Sequence, residues 1–209
     1  MAAMTIAEVL ALSRFVPVVT IERAEDAVPL ARALLSGGMR VIEVTLRTEA
    51  ALAAIRAIAA EAPEMAAGAG TCLKAADLAE AAASGAKFAV SPGFTTELAA
   101  AAKRHADLPW LPGIATASEA MQAMSAGHRH LKFFPAESMG GVRALKDLHG
   151  PFPGLRFCPT GGVGLDNAAS YLALPNVVAV GGSAVAPRDA IAKGDWARVT
   201  GLARQGAAL

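Results

Sequence analysis

Of the six lysines in the chain, Lys132 alone lies inside an apolar run, His130-Leu131-Lys132-Phe133-Phe134-Pro135. A charge is expensive to bury, so a lysine in such a run needs a reason. One reason is chemical: an apolar surround favours the uncharged amine, the form that attacks a carbonyl. The other is structural: the stem snorkels from a strand end, or the ammonium pairs with a core carboxylate. Among eleven glutamates, Glu43 is the one set squarely within a strand-like run, Val41-Ile42-Glu43-Val44-Thr45-Leu46-Arg47. Side chains alternate along a strand, so Val41, Glu43, Thr45 and Arg47 share one face. On the inner face of a parallel barrel, Glu43 is placed to move protons. Arg47, nearest the C-terminal mouth, is placed to hold a carboxylate through two parallel hydrogen bonds. The competing reading is an internal Glu43–Arg47 ion pair that only props the interior.

Two glycine clusters come late in the chain, Pro159-Thr160-Gly161-Gly162 and Gly181-Gly182-Ser183. Glycines let backbone N–H groups approach a phosphate closely, and Ser183 adds a hydroxyl. Tight turns between strand and helix are the plainer explanation for either cluster alone. Gly68-Ala69-Gly70-Thr71 offers small residues at a strand end and a hydroxyl at Thr71. The four histidines show no metal-ligand spacing and no paired carboxylates accompany them, so no catalytic metal is expected. Cys72 and Cys158 fit no zinc or redox motif and read as small buried hydrophobes.

These residues need elements to position them. Short apolar runs bounded by Gly or Pro occur at 16–21, 40–46, 65–70, 88–91, 110–113, 130–134, 156–159 and 177–181. Ala-rich helical stretches lie between them, at 22–36, 48–61, 74–84 and 95–105, with Thr116 and Asp166 as further helix N-caps. Strand alternating with helix predicts parallel strands joined by crossover helices. About eight such units predict an α/β fold of the (β/α)8 TIM-barrel type, as one domain over residues 1–209 with an extra N-terminal helix. In that fold the loops after strands seven and eight, where both glycine clusters fall, are the usual phosphate site. An open doubly wound sheet is the alternative, but no glycine fingerprint follows the first strand, which ends Thr20-Ile21-Glu22-Arg23.

Composition narrows the class. The chain is 54% hydrophobic and 18% charged, with net charge +1, which excludes disorder and leaves no basic stripe for nucleic acid. The segment MAAMTIAEVLALSRF has no basic start and Glu8 interrupts it, so it reads as an amphipathic helix and not a signal peptide. No apolar run is long enough to span a membrane, and a soluble cytoplasmic protein is the default expectation.

The motifs fall in the order of a known family. Val41-Ile42-Glu43-Val44-Thr45-Leu46-Arg47-Thr48, Gly68-Ala69-Gly70-Thr71, Ser91-Pro92-Gly93, Leu111-Pro112-Gly113-Ile114, Leu131-Lys132-Phe133-Phe134-Pro135-Ala136-Glu137, Phe157-Cys158-Pro159-Thr160-Gly161-Gly162 and Gly181-Gly182-Ser183 span nearly the whole chain. Together they resemble the class I aldolases of 2-keto-3-deoxy-6-phosphogluconate (KDPG) and 2-keto-4-hydroxyglutarate (KHG). The resemblance implies Lys132 as the Schiff-base lysine and Glu43 as the general acid/base. It implies Arg47, Thr71, Phe134, Pro92 and Thr160 around the keto acid, and Gly161, Gly162, Gly182 and Ser183 around the phosphate. It further implies a homotrimer that needs no cofactor and a phosphorylated keto acid as the small-molecule partner. Thr160 matches the gluconate-type enzyme, where the galactonate-type relative carries valine. Two readings compete from outside this chemistry: a phosphosugar isomerase or epimerase, and a non-catalytic phosphosugar-binding barrel.

Overall fold

The computed structural model describes residues 4–209; residues 1–3, which open the expected N-terminal helix, lie outside the described residues. Helix α1 (Ile6–Ala11) starts at Thr5, whose hydroxyl accepts from the Glu8 N–H while the Glu8 carboxylate takes the Thr5 N–H at 2.7 Å. Glu8, which interrupts the apolar pattern, is therefore the partner in a capping box. The strands are β1 (Phe15–Val19), β2 (Val41–Thr45), β3 (Ala66–Gly70), β4 (Phe88–Val90), β5 (Trp110–Leu111), β6 (Gly113–Ile114), β7 (His130–Phe133), β8 (Arg156–Pro159) and β9 (Val180–Gly182). Between them run α2 (Ala27–Ser36), α3 (Ala51–Glu61), α4 (Ala75–Ala83), α5 (Thr96–Arg104), α6 (Ala117–Ser125), α7 (Gly141–His149) and α8 (Ala168–Leu172), and α9 (Arg188–Lys193) and α10 (Trp196–Ala207) close the order.

The paired strands are parallel, in the orders β5-β4-β3-β2-β1-β9 and β6-β7-β8. Single bridges, Phe157 to Val177 and Thr160 to Gly181, link the β8 edge to the β9 segment. The result is an α/β fold with a curled parallel sheet. Its two faces sort the sequence as alternation demands: on β2, Ile42 and Val44 join the large cluster beneath the helices, whereas Val41 belongs to a second cluster. That second cluster combines Val16, Val41, Ala66, Phe88 and Leu111 with Val9 and Leu10 of α1. Helix α1 thus packs on the inner face at the N-terminal end of the strands, and chemistry is left to the other end.

Several boundaries differ from the sequence reading. The expected strand at 110–113 is two short pieces, because Pro112 has no N–H to give the ladder; its carbonyl still accepts from Lys132 N at 2.8 Å. The expected strand at 177–181 moves to Val180–Gly182, with Val177 joined to Phe157 by a single bridge. The expected helix at 22–36 opens as a 3-10 turn, Ala24–Asp26, before α2. Thr116 caps α6 with a full capping box, but Asp166 caps nothing: the residue before α8 is Asn167, and its side chain is drawn to the Gly162–Gly164 turn instead.

Candidate active site

Lys132 sits in β7, 5% exposed, between Gly113 of β6 and Cys158 of β8 in the ladder register. Glu43 sits mid-β2, 3% exposed, between Val18 and Gly68. The curl of the sheet brings them together: Lys132 Nζ donates to Glu43 Oε1 at 3.1 Å. Gly70 makes room for this pair, since a Cβ there would fall on the Glu43 carboxylate. The Lys132 ammonium also stands 5.3 Å from the centroid of Phe134. The neighbouring thiols do not compete as nucleophiles, because burial pushes both Cys72 and Cys158 up to about 12.

The internal Glu43–Arg47 pair considered from sequence does not form. Glu43 is taken by Lys132, and exposed Arg47 donates from Nε to Thr71 Oγ1 at 3.2 Å. Thr71 has φ 63°, the only positive φ of a non-glycine residue among the described residues. A β-branched side chain is strained there, and the conformation turns its hydroxyl toward Arg47.

A cavity of about 500 Å³ opens at the C-terminal end of the strands. Of the residues singled out from sequence, Lys132, Arg47, Phe134, Thr160, Gly161, Gly162, Gly182 and Ser183 line it. Glu43 lies just below, on Lys132, and Thr71 reaches it through Arg47. Pro92 is not among the lining residues; its carbonyl lies against Gly113, and its turn is pinned by Ser91 Oγ donating to Gly93 O at 2.6 Å. The Gly161-Gly162 turn has φ of 100° and 77°, and it is clamped from two sides. Glu137 N donates to Gly161 O at 3.0 Å, and Asn167 Nδ2 donates to Gly162 O at 3.0 Å.

Three polar lining residues were given no role by the sequence reading. Arg188, at the start of α9, adds a cation to the side bearing Ser183; a basic residue five positions after that serine was the available signal. Thr45 was placed on the inner face without a task, and Thr20 was noted only for the absence of glycines around it.

The family model for KDPG and KHG aldolase matches residues 6–202. A Pseudoalteromonas atlantica 2-dehydro-3-deoxy-phosphogluconate aldolase is 53% identical over 92% of this chain and 89% of its own. The KHG/KDPG aldolase of Escherichia coli strain K12 is 53% identical over 91% of this chain and 89% of its own. The chain belongs to the KDPG and KHG aldolase family. Among solved structures of the family, the Legionella pneumophila KDPG aldolase, with pyruvate captured as a covalent carbinolamine, superposes with TM-score 0.93. It is 43% identical and covers 95% of this chain and 96% of its own. In this family member the cavity is thus charged at one end by Arg47, lined with glycine turns at the other, and floored by a buried lysine–carboxylate pair. Among the described residues no helix is long and apolar enough to cross a membrane, and no group of side chains is arranged to hold a metal.

Proposed function

We propose that this protein is a class I aldolase that cleaves 2-dehydro-3-deoxy-6-phosphogluconate to pyruvate and D-glyceraldehyde 3-phosphate in the Entner–Doudoroff pathway. The observation that carries the reading is the buried Lys132–Glu43 contact of 3.1 Å at the floor of the cavity. An amine with a proton acceptor in hydrogen-bond reach is the arrangement imine formation needs. The carbinolamine captured in the Legionella relative supports the same chemistry.

The steps follow from the groups present. Lys132 passes its proton to Glu43 and attacks the C2 ketone. The carbinolamine loses water, with Glu43 supplying the proton, and becomes a protonated imine. The iminium draws the C3–C4 electrons inward as the C4 hydroxyl loses its proton to Glu43. Glyceraldehyde 3-phosphate leaves, the enamine takes a proton at C3, and water releases pyruvate from Lys132. The iminium is itself the electron sink, so the sequence needs neither metal nor cofactor. Arg47 and Thr71 hold the carboxylate, with Phe134, Thr160 and the turn at Pro92 around the keto-acid portion. Gly161, Gly162, Gly182 and Ser183 hold the phosphate, so that distant binding orients the reacting carbons. Thr160 beside the cavity favours the gluconate over the galactonate epimer. The same lysine serves 4-hydroxy-2-oxoglutarate, which needs no phosphate site; the double name of the Escherichia coli relative supports that second substrate.

The proposal includes the architecture around the site. The bridges joining β8 to the β9 segment support closure into a (β/α)8 barrel over one domain, 1–209, with α1 as the extra helix plugging its N-terminal end. A homotrimer, on the family resemblance, and a cytoplasmic location, the default expectation from the sequence, complete the reading.

The test is incubation with pyruvate and sodium borohydride, read by intact mass and peptide map, beside a coupled assay of substrate cleavage. A reduced pyruvyl adduct on the Lys132 peptide together with turnover is the expected result. Absence of the adduct on folded protein sinks the imine chemistry. The strained threonine gives a separate prediction. In Thr71→Gly, relief of about 1–3 kcal/mol of backbone strain outweighs glycine's entropic penalty of roughly 0.5–1 kcal/mol. The melting temperature should equal or exceed the parent's. Loss of the hydroxyl should raise the KM for pyruvate about 3–10-fold in the condensation direction. A lowered melting temperature with unchanged KM would assign Thr71 to folding alone.

A further inference from the structure

Thr20 and Thr45 form a hydroxyl pair inside the cavity that the mechanism above does not use. Thr20 stands one residue beyond β1, opposite Thr45 in the register that pairs Val18 with Glu43 and Val19 with Val44. The two hydroxyl oxygens are 3.0 Å apart. Buried Thr45 has one proton, and it donates that proton to the Val19 carbonyl at 2.9 Å. In the contact between the two threonines, Thr45 therefore accepts and Thr20 donates. Thr20 is half-buried and lines the cavity with its proton already committed, so it faces the cavity as an acceptor only. Its complement is a donor, and on a phosphorylated keto acid the donors are hydroxyls.

Strand order says which one. In the sheet β1 lies between β9 and β2. Gly182 at the end of β9 and Ser183 just after it lie at the phosphate end, and β2 leads to Arg47 at the carboxylate end. The C4 hydroxyl must reach Glu43, in the layer beneath Thr45. The hydroxyl left for β1 is the one beside the phosphate-bearing carbon. Resting on the aldolase reading above, we infer that Thr20 is a specificity-determining residue. It accepts a hydrogen bond from the C5 hydroxyl of the substrate, which is the secondary hydroxyl of the released aldehyde.

The test is condensation of pyruvate with two aldehydes, D-glyceraldehyde 3-phosphate and 3-oxopropyl phosphate. The second keeps the phosphate and the chain length and lacks only that hydroxyl. In Thr20→Val, kcat/KM for glyceraldehyde 3-phosphate should fall about 3–10-fold, the scale of one neutral hydrogen bond. For the deoxy aldehyde it should change by less than about twofold, as expected when only a site–hydroxyl bond is removed. Thr20→Ser, which keeps the oxygen, should retain the parent's preference between the two aldehydes. Equal losses on both aldehydes, or no loss on either, would overturn the assignment. Failure of the parent protein to form the borohydride adduct or to condense either aldehyde would instead remove the aldolase reading, and Thr20's role with it.

Discussion

Lys132→Met is expected to abolish the reduced pyruvyl adduct and to lower kcat/KM for 2-dehydro-3-deoxy-6-phosphogluconate by on the order of 10⁵–10⁶-fold, the scale on which loss of a covalent nucleophile registers. No other lysine lines the cavity to take over. Methionine keeps most of the volume but leaves the Glu43 carboxylate buried without its partner, and breaking such a pair destabilises a fold by about 3–5 kcal/mol. Inactivity alone could therefore reflect damage to the fold. The double variant Lys132→Met, Glu43→Gln separates the two effects, because it removes both charges. It should recover most of the lost stability in denaturant titration and remain inactive. A double variant as unstable as the single would mean that packing around Lys132, not the ion pair, sets the loss. Retained cleavage in either would remove Lys132 from the mechanism.

The lysine and the glutamate were legible one at a time, for a reason of chemistry. Each is a charged residue in an apolar strand run, and alternation fixes which face it shares. Their partnership was not legible. It spans 89 residues of sequence and depends on the curl that carries β7 toward β2, a tertiary fact no local pattern encodes. With no partner visible from sequence, Arg47 was the nearest countercharge on the Glu43 face. The structure sends Arg47 to Thr71, whose left-handed backbone is also invisible in a residue that normally favours extended strands.

The fold was read from the same alternation of apolar runs and Ala-rich helices, and it failed where a single residue changed the hydrogen-bond supply. Pro112 splits a run that hydropathy alone makes continuous. Near Gly162 the choice between Asp166 and Asn167 turned on an amide that both donates and accepts: Asn167 takes the Gly164 N–H at 2.8 Å and gives a proton to Gly162 O, which a carboxylate cannot do. Arg188 and Thr20 escaped because neither sits in a motif. They enter the cavity only because β9 pairs with β1, the first and last strands of the chain.

Glu43→Gln tests the other half of the buried pair. The amide oxygen of glutamine can still accept from Lys132 Nζ, so the amine keeps its place, but the side chain can no longer take a proton. The expected loss in kcat is about 10²–10⁴-fold, the usual contribution of a positioned acid or base, with KM for the phosphorylated substrate nearly unchanged. A second readout isolates the proton step. Pyruvate bound as the imine exchanges its methyl protons with solvent through the enamine, and exchange in deuterium oxide is followed by NMR. On long incubation the glutamine variant should still yield the borohydride adduct on Lys132, more slowly than the parent, while methyl exchange slows by about the same 10²–10⁴-fold. Exchange at the parent's rate would show that water or another group carries the proton, and would reduce Glu43 to the partner that holds Lys132 in position. Loss of the adduct together with exchange would show that the earlier Glu43 proton steps, those that form the imine, have no substitute.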